Sequence, residues 1–425
     1  MTTSMRKNLK TVLITVSLGL LSSVAMADEP QTEVELTHWW NQPGEVAALN
    51  EIKKGVEQRG GRFVDTPIVT WDKLRSGIIN RITVGYPPAA THWLIDDDIF
   101  DLYKMGVVYA APMKHNGQPI KEVLLDKIYD DVTESGKLVA LPLGIHFQNT
   151  ALFNAAIYRE LKLPLPTTWK QVLAQAPSIT EAGYLPVAIS NEAWQLHLVF
   201  NTILLEVMGH SDYEKIYLKN HSIEPWREQL TRSFELFLQL RAIADEGQKT
   251  RSWDMAARMV GDQKAAMHVM GDFAKAELTK QGLKAGDDFL CSLSPGSGHT
   301  IIYAIDAFLM LNVKEPYLKR GQDLLFEVAL DPTVQAAYNA KKGSIPIRHG
   351  VDLSQLDACA QASYQQWISP DTQVTRFSGV ANPLRTSFFQ AALSRAWKET
   401  GLSAEQLADE LIKSDESSMQ PRARK

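Results

Sequence analysis

Cysteine is scarce in this chain, with 2 among 425 residues. That number cannot build a disulfide-dense scaffold or a four-thiolate zinc site. Basic residues are not in excess: 44 Lys+Arg face 49 Asp+Glu, for a formal net charge of −5. A nucleic-acid binder that works by electrostatics normally carries a basic face, so this balance argues against one. Beyond residue 24 no uninterrupted apolar run reaches membrane-spanning length, and no span is expected there. The chain has no repeat at periods of 20–50 residues and no low-complexity linker. Common catalytic signatures are missing as well: there is no G-x-S-x-G, no H-E-x-x-H and no Walker A lysine motif. A G-x-G-x-x-G loop is approached only by Pro295-Gly296-Ser297-Gly298, which lacks the third glycine.

What is present is globular. Apolar residues make up 45% and charged residues 22%, which excludes disordered and fibrous classes. The length suits two or three domains or lobes. The first residues read as an export signal. Arg6, Lys7 and Lys10 precede an apolar run from Thr11 to Val24, and Ala25-Met26-Ala27 closes it before polar Asp28-Glu29-Pro30. This is the n-region, h-region and A-x-A layout of a secretory leader. The run is shorter than the roughly 20 residues of a membrane span, so cleavage after Ala27 is expected rather than a retained anchor. Export out of the cytoplasm bears on Cys291 and Cys359, because an even pair of thiols in an oxidising compartment usually becomes a disulfide.

Glu33–Trp40 alternates like a strand, Gly44–Arg59 places Val46, Leu49, Ile52 and Val56 on one helical face, and Arg62–Val69 reads as a second strand. A helix over Trp71–Val84 and a strand over Ala90–Ile95 complete a β-α-β-α-β opening, the mark of a parallel sheet with crossover helices. Lys137–Leu143 is a further strand, and Gly144–Asn149 reads as irregular. A threonine of Thr167-Thr168 is placed to cap a helix beginning near Trp169. Helical patterns then dominate to about Lys280. Thr300–Leu311 returns to strand character, Gln322–Leu330 and Pro332–Lys341 are helical, and Ser414–Lys425 reads as a polar tail.

The acidic run Asp96-Asp97-Asp98 suggests a turn or helix N-terminus, since consecutive strand side chains point to opposite faces and do not converge on a metal. No metal site or cofactor is expected. Aromatic residues cluster with polar ones instead: Trp39-Trp40 end the first strand with Glu45 nearby, and Trp194-Gln195 and Asp272-Phe273 repeat the pattern. One member of the Trp39-Trp40 pair faces the core and the other a cleft. Aromatic faces beside hydroxyl partners, in an exported chain without catalytic motifs, favour a carbohydrate-binding cleft.

Several segments resemble the extracellular solute-binding proteins, family 1, of ABC sugar importers, and within them the periplasmic glucose/mannose-binding branch. They include HWWNQPGEVAAL (His38–Leu49), LPLGIH (Leu141–His146), AWQLHLVF (Ala193–Phe200), AAMHVMGDFAKAEL (Ala265–Leu278), YAIDAF (Tyr303–Phe308) and KKGSIPIR (Lys341–Arg348). The resemblance covers the whole mature chain. It implies an α/β, two-lobed periplasmic-binding-protein fold of class II type, with the ligand cleft between lobes joined by crossover hinge strands. Lobe 1 would comprise 28–144 with 304–347, and lobe 2, richer in helix, 145–303 with 348–425. The implied ligand-binding set is Trp39, Trp40, Glu45, His92, His146, Trp194, Gln195, Asp272, Phe273, Asp306, Lys342 and Arg376. The resemblance also places a disulfide at Cys291 and Cys359.

The chain departs from that branch in its cleft. Phe273 replaces a Trp, His92 stands where a Gln would, Thr66–Thr70 replaces a Gly-rich stretch, and a helical lysine near Ile79 is absent. Arg376 lies about where a C-terminal binding histidine is expected. Arginine matches carboxylates bidentately, so an acidic or modified sugar is an expectation beside a neutral hexose. The leading expectation is a monomeric, non-enzymatic binding component that captures a small sugar by hinge closure and delivers it to a membrane permease. A binding protein that signals to a sensor kinase or chemoreceptor is the alternative, separable by gene neighbourhood. A glycosidase would need two carboxylates about 5–9.5 Å apart, with Glu45 and Asp306 as the candidates.

Overall fold

A computed structural model describes residues 31–219 and 221–419. The expected leader and its cleavage site lie outside the described residues. The β-α-β-α-β opening is present as β1 (Glu33–His38), a helix Pro43–Gln58, β2 (Arg62–Pro67), a helix Trp71–Thr83 and β3 (Ala90–Leu94). β1 pairs in parallel with both β2 and β3. Val34 and Leu36 alternate into the core from β1, as period-2 patterning requires. The helix caps are the side chains that local chemistry nominates. Thr70 accepts from the Lys73 N–H, and Thr168 from the Gln171 N–H. Asp331 accepts from the Thr333 and Val334 N–H groups, ahead of a helix Pro332–Lys342 that starts on proline, each satisfying donors that a helix start leaves open.

The middle of the chain holds more strand than its sequence pattern suggests. The expected strand at Lys137–Leu143 is present in two pieces, a short Lys137–Leu138 and the start of β4 (Leu141–Phe147), so Gly144–Phe147 is extended rather than irregular. Next come β5 (Thr150–Asn154), β6 (Leu185–Ala188) and β7 (Ala265–Met270), the last two inside the block read as helical. All six residues of β7 are buried. A short apolar run buried on both faces has no alternation to separate strand from helix. β8 (Phe289–Leu293), β9 (Thr300–Met310) and β10 (Gln373–Arg376) complete the strands used below.

These strands form two sheets. The first runs β10-β9-β3-β1-β2, with β4 also paired to β9, and the second runs β6-β7-β5-β8. β9 is antiparallel to both β3 and β4, so Asp306 is opposite Leu94 on one neighbour and Gly144 on the other. Each sheet has its own apolar core, one built on Leu36, Ile52, Leu143 and Phe308, the other on Phe153, Phe200, Val269 and Leu393. The chain passes between the sheets at β4–β5 and again at β8–β9.

Cys291 on β8 and Cys359 on the helix Ala358–Trp367 form a disulfide, with Cα atoms 5.6 Å apart. That helix places Cys359 in an apolar cluster of the second sheet, while Ala360, Tyr364 and Trp367 pack into the core of the first. The C-terminal segment is not a polar tail where it is described. Ala404–Met419 is a helix, and its Asp415 is buried in a bidentate ion pair with Arg385, at 2.7 and 3.1 Å. A polar pattern gives no hint of this because the partner lies 30 residues earlier in the chain. Among the described residues no helix is long and apolar enough to cross a membrane.

Candidate functional site

The site begins at the carboxyl end of β1, where parallel α/β sheets present their ligand-facing loops. Trp39 and Trp40 follow the strand, and Pro43 starts the next helix. Glu45, in the first turn, uses Oε2 to accept from the Asn41 and Gln42 backbone N–H groups at 3.0 and 3.1 Å. Its other oxygen lies 3.3 Å from the Lys342 ammonium. Lys342 ends its helix, and Gly343 follows with φ 87°. A Cβ there would also press on the Lys275 side chain at 3.2 Å, so the Lys-Gly pairing answers both backbone and packing.

The two tryptophans part as alternation demands. Trp39 is partly exposed, whereas Trp40 is 1% exposed. The His92 ring packs tilted against both, with centroids 3.9 and 4.1 Å away and planes 43° apart. The Lys342 ammonium sits 4.7 Å from the Trp40 ring centroid, a cation–π contact. Trp40 is therefore covered and only Trp39 offers a ring to a ligand.

Behind these rings lies a buried network of charges. His92 on β3 donates through Nε2 to Asp306 Oδ1 at 3.1 Å, which leaves Nδ1 without a hydrogen-bond partner. Asp306 Oδ2 lies 3.2 Å from His146 Nε2 and 3.3 Å from Lys342 Nζ. His146 on β4 donates through Nδ1 to Asp272 at 2.6 Å, and the second Asp272 oxygen accepts from the Phe147 N–H at 3.0 Å. Burial works to lower the pKa of His146, but the Asp272 and Asp306 carboxylates outweigh it and raise it to about 9. For His92 burial, helped by the Lys342 charge, outweighs the Asp306 and Glu45 carboxylates, and its pKa is lowered. Burial would raise Asp306, yet Lys342 and the two histidines hold it well below the usual carboxylate range. Lys342 is raised in turn, because Asp306 and Glu45 overcome its burial. At neutral pH the network thus holds His146 and Lys342 as cations and His92 as a neutral ring.

A cavity of about 370 Å³ opens beside it. One wall is Trp39, Glu45 and Lys342; the facing wall is Trp194, Trp253 and Phe273, with Glu277 and Lys280 at its side. Phe273 follows β7 in a short turn, and its ring folds over Gly271, where a Cβ would meet it at 2.2 Å. Trp253 begins a helix, and its N–H donates to Glu192 at 2.6 Å. The rings of Trp194 and Phe273 are near parallel at 6.5 Å, and Trp253 meets Phe273 edge-on at 5.6 Å.

The structure brings together ten of the twelve residues named from sequence. Trp39, Glu45, Trp194, Phe273 and Lys342 line the cavity, and Trp40, His92, His146, Asp272 and Asp306 form the buried layer behind it. Gln195 is elsewhere in role. It is buried, accepts from the Ser190 N–H and Oγ, and donates to the Val269 carbonyl, so it ties the loop after β6 to β7. Arg376 is also not in the cluster. Its guanidinium binds Asp97 at 3.0 Å and Asp131 at 2.9 Å, and it lines a separate cavity of about 540 Å³. Tyr303 lines that second cavity, and alternation along β9 turns Tyr303 and Asp306 to opposite faces. Asp96, Asp97 and Asp98 diverge, toward Trp93, Lys219 and Arg75 respectively. Trp253, Glu277 and Lys280 were not nominated by sequence; an indole at a helix start inside a long helical block carries no signal of its own.

The family model described as bacterial extracellular solute-binding protein matches residues 58–366, well over half of the chain. The chain belongs to that family. Its members are binding proteins and not enzymes. A relative from Rhizobium meliloti (strain 1021), named a probable sugar-binding periplasmic protein, is 27% identical over 87% of this chain and 89% of its own length. A relative of the same name from Brucella suis biovar 1 (strain 1330) is 28% identical, with 86% and 87% covered. Among solved structures, the bacterial solute receptor AcbH, described with an exclusive preference for b-D-galactopyranose, matches with TM-score 0.75 and 13% identity over 91% of this chain and 99% of that one. The maltose-maltodextrin binding protein of Alicyclobacillus acidocaldarius matches with TM-score 0.65 and 13% identity, covering 90% and 100%. At such identity these structures speak for the fold alone, and the fold is that of the two-lobed periplasmic binding proteins.

Proposed function

We propose that this chain is the periplasmic sugar-binding component of an ABC-type importer, exported by its leader and cleaved after Ala27. The carrying observation is the 370 Å³ cavity, lined by Trp39, Glu45 and Lys342 on one side and by Trp194 and Phe273 on the other. Its size falls within the roughly 300–1,000 Å³ of small-ligand pockets. Aromatic faces suit the C–H faces of a pyranose, and charged groups make the stronger hydrogen bonds to its hydroxyls. The names of the curated relatives support the same ligand class.

The lobes we propose are 28–144 with 304–347 and 145–303 with 348–425. Trp39, Glu45 and Lys342 then belong to one lobe, and Trp194, Trp253 and Phe273 to the other. A sugar touches both sets at once only when the lobes are together, so it shifts the population toward the closed form by its differential affinity. The closed surface is what the permease reads. A thermal-shift screen against neutral monosaccharides and disaccharides, uronates and amino sugars tests this. A ligand at 100 times its dissociation constant adds about 2.7 kcal/mol of stability. A raised melting temperature with one or a few sugars is the expected result; no rise with any sugar refutes the reading.

A further inference from the structure

We infer that the cavity selects an uncharged sugar and that Trp253 is a specificity residue forming its outer wall, an inference that rests on the sugar-binding reading above. The charges around the cavity are closed among themselves. Its charged side chains are Glu45, Glu277, Lys280 and Lys342. Lys342 is held by Glu45 and Asp306, both at 3.3 Å. Lys280 is paired with Glu277, which also faces Arg258 at 3.7 Å. The remaining Glu45 oxygen is taken by two backbone N–H groups. An anionic ligand finds no cation here that lacks a carboxylate, and a cationic one finds no carboxylate that lacks a cation. To gain Lys342 an anionic ligand must compete with Asp306 for an ammonium in a buried pair, which is strongly unfavourable, and the exposed Lys280 is already neutralised by the buried Glu277. A hydroxyl does neither. It donates to a glutamate while accepting from a lysine, and both pairs stay intact. Arg376, the cation that suggested an acidic sugar, is spent on Asp97 and Asp131 in another cavity.

The aromatic walls place the ligand. His92 and Lys342 cover Trp40, so stacking is open on Trp39 but not on its neighbour. Across the cavity Phe273 presents a smaller ring than an indole. Trp253 stands edge-on to it at 86° and also meets Trp194 at 6.2 Å, and it lines the cavity itself. The three rings form a fixed corner, and Trp253 supplies the wall area beyond the reach of Phe273.

The test is titration calorimetry on the mature full chain with glucose, galactose, mannose, their uronic acids and their 2-amino counterparts, and with Trp253→Ala and Trp253→Phe. The expected result is binding of at least one neutral sugar, with its uronate and amino forms weaker by about ten-fold or more. Trp253→Ala should weaken the neutral sugar by about ten-fold, and Trp253→Phe should restore part of it at an unchanged melting temperature. A uronate or amino sugar that binds as tightly as its neutral parent overturns the charge argument. Unchanged affinity in Trp253→Ala overturns the wall. Absence of binding by every sugar refutes the sugar reading itself and the inference with it.

Discussion

Between pH 6.5 and 9 His146 should keep in the folded protein a proton that it loses in the unfolded chain. The ring sits between Asp272 at 2.6 Å and Asp306 at 3.2 Å, and its pKa is raised from 6.5 to about 9. A raised histidine contributes its full stabilisation below the unfolded value, and loses it as pH rises toward the folded one. Each unit corresponds to about 1.4 kcal/mol, so roughly 3 kcal/mol of stability should disappear across this window. Burial lowers the folded pKa values of His92, His197 and His268, to about 3 for His197 and about 4 for His268. These three give an opposite slope, stability rising with pH as their unfolded rings lose protons around 6.5, so the difference between wild type and a His146 variant isolates His146. Denaturant midpoints of wild type and His146→Gln, measured at intervals from pH 6 to 9.5, would show the fall as a narrowing difference. His146→Gln should start from lower stability at pH 6 and lack the downward contribution. An equal slope in wild type and His146→Gln would refute the assignment, and with it the claim that His146 is a cation at neutral pH.

Three further outcomes follow from particular contacts. Replacing both Cys291 and Cys359 with Ala removes a crosslink across 68 residues and should cost about 4 kcal/mol on the chain-entropy account, read as a lower denaturant midpoint; the wild type should show no labelled thiol in denaturant without reductant. Asp415→Ala strands the buried Arg385 guanidinium and should cost about 3–5 kcal/mol, measurable as a lower melting temperature, whereas a truly polar tail would leave it unchanged. Gly343→Ala places a side chain at φ 87° and should cost about 1–2 kcal/mol; an unchanged midpoint would show that the turn relaxes freely.

The threonine cap before Trp169 and the opening of alternating strands and helices were legible because they depend on neighbours a few residues away. Strands β5 to β7 were not, since a run such as Ala265–Met270 is buried throughout and has no periodicity to read. The helix over Ser414–Met419 was hidden for another reason: its buried anchor, Arg385, is distant in sequence. Gly144–Phe147 is extended because β9 pairs with it, and a pairing partner more than 150 residues away leaves no local mark.

The site divides in the same way. The sequence by itself determined which chemistry the chain carries: Trp39, Trp194 and Phe273 for stacking, Glu45, Asp306 and Lys342 for hydroxyls, two cysteines for a crosslink. Tertiary structure decided which of those groups remain available. His92 and Lys342 close over Trp40, Glu45 divides itself between Lys342 and two backbone N–H groups, and Asp97 and Asp131 claim Arg376 for another cavity. Charges seek partners wherever the fold brings them within about 4 Å, and that proximity is a property of the folded chain that no residue's position in the sequence contains.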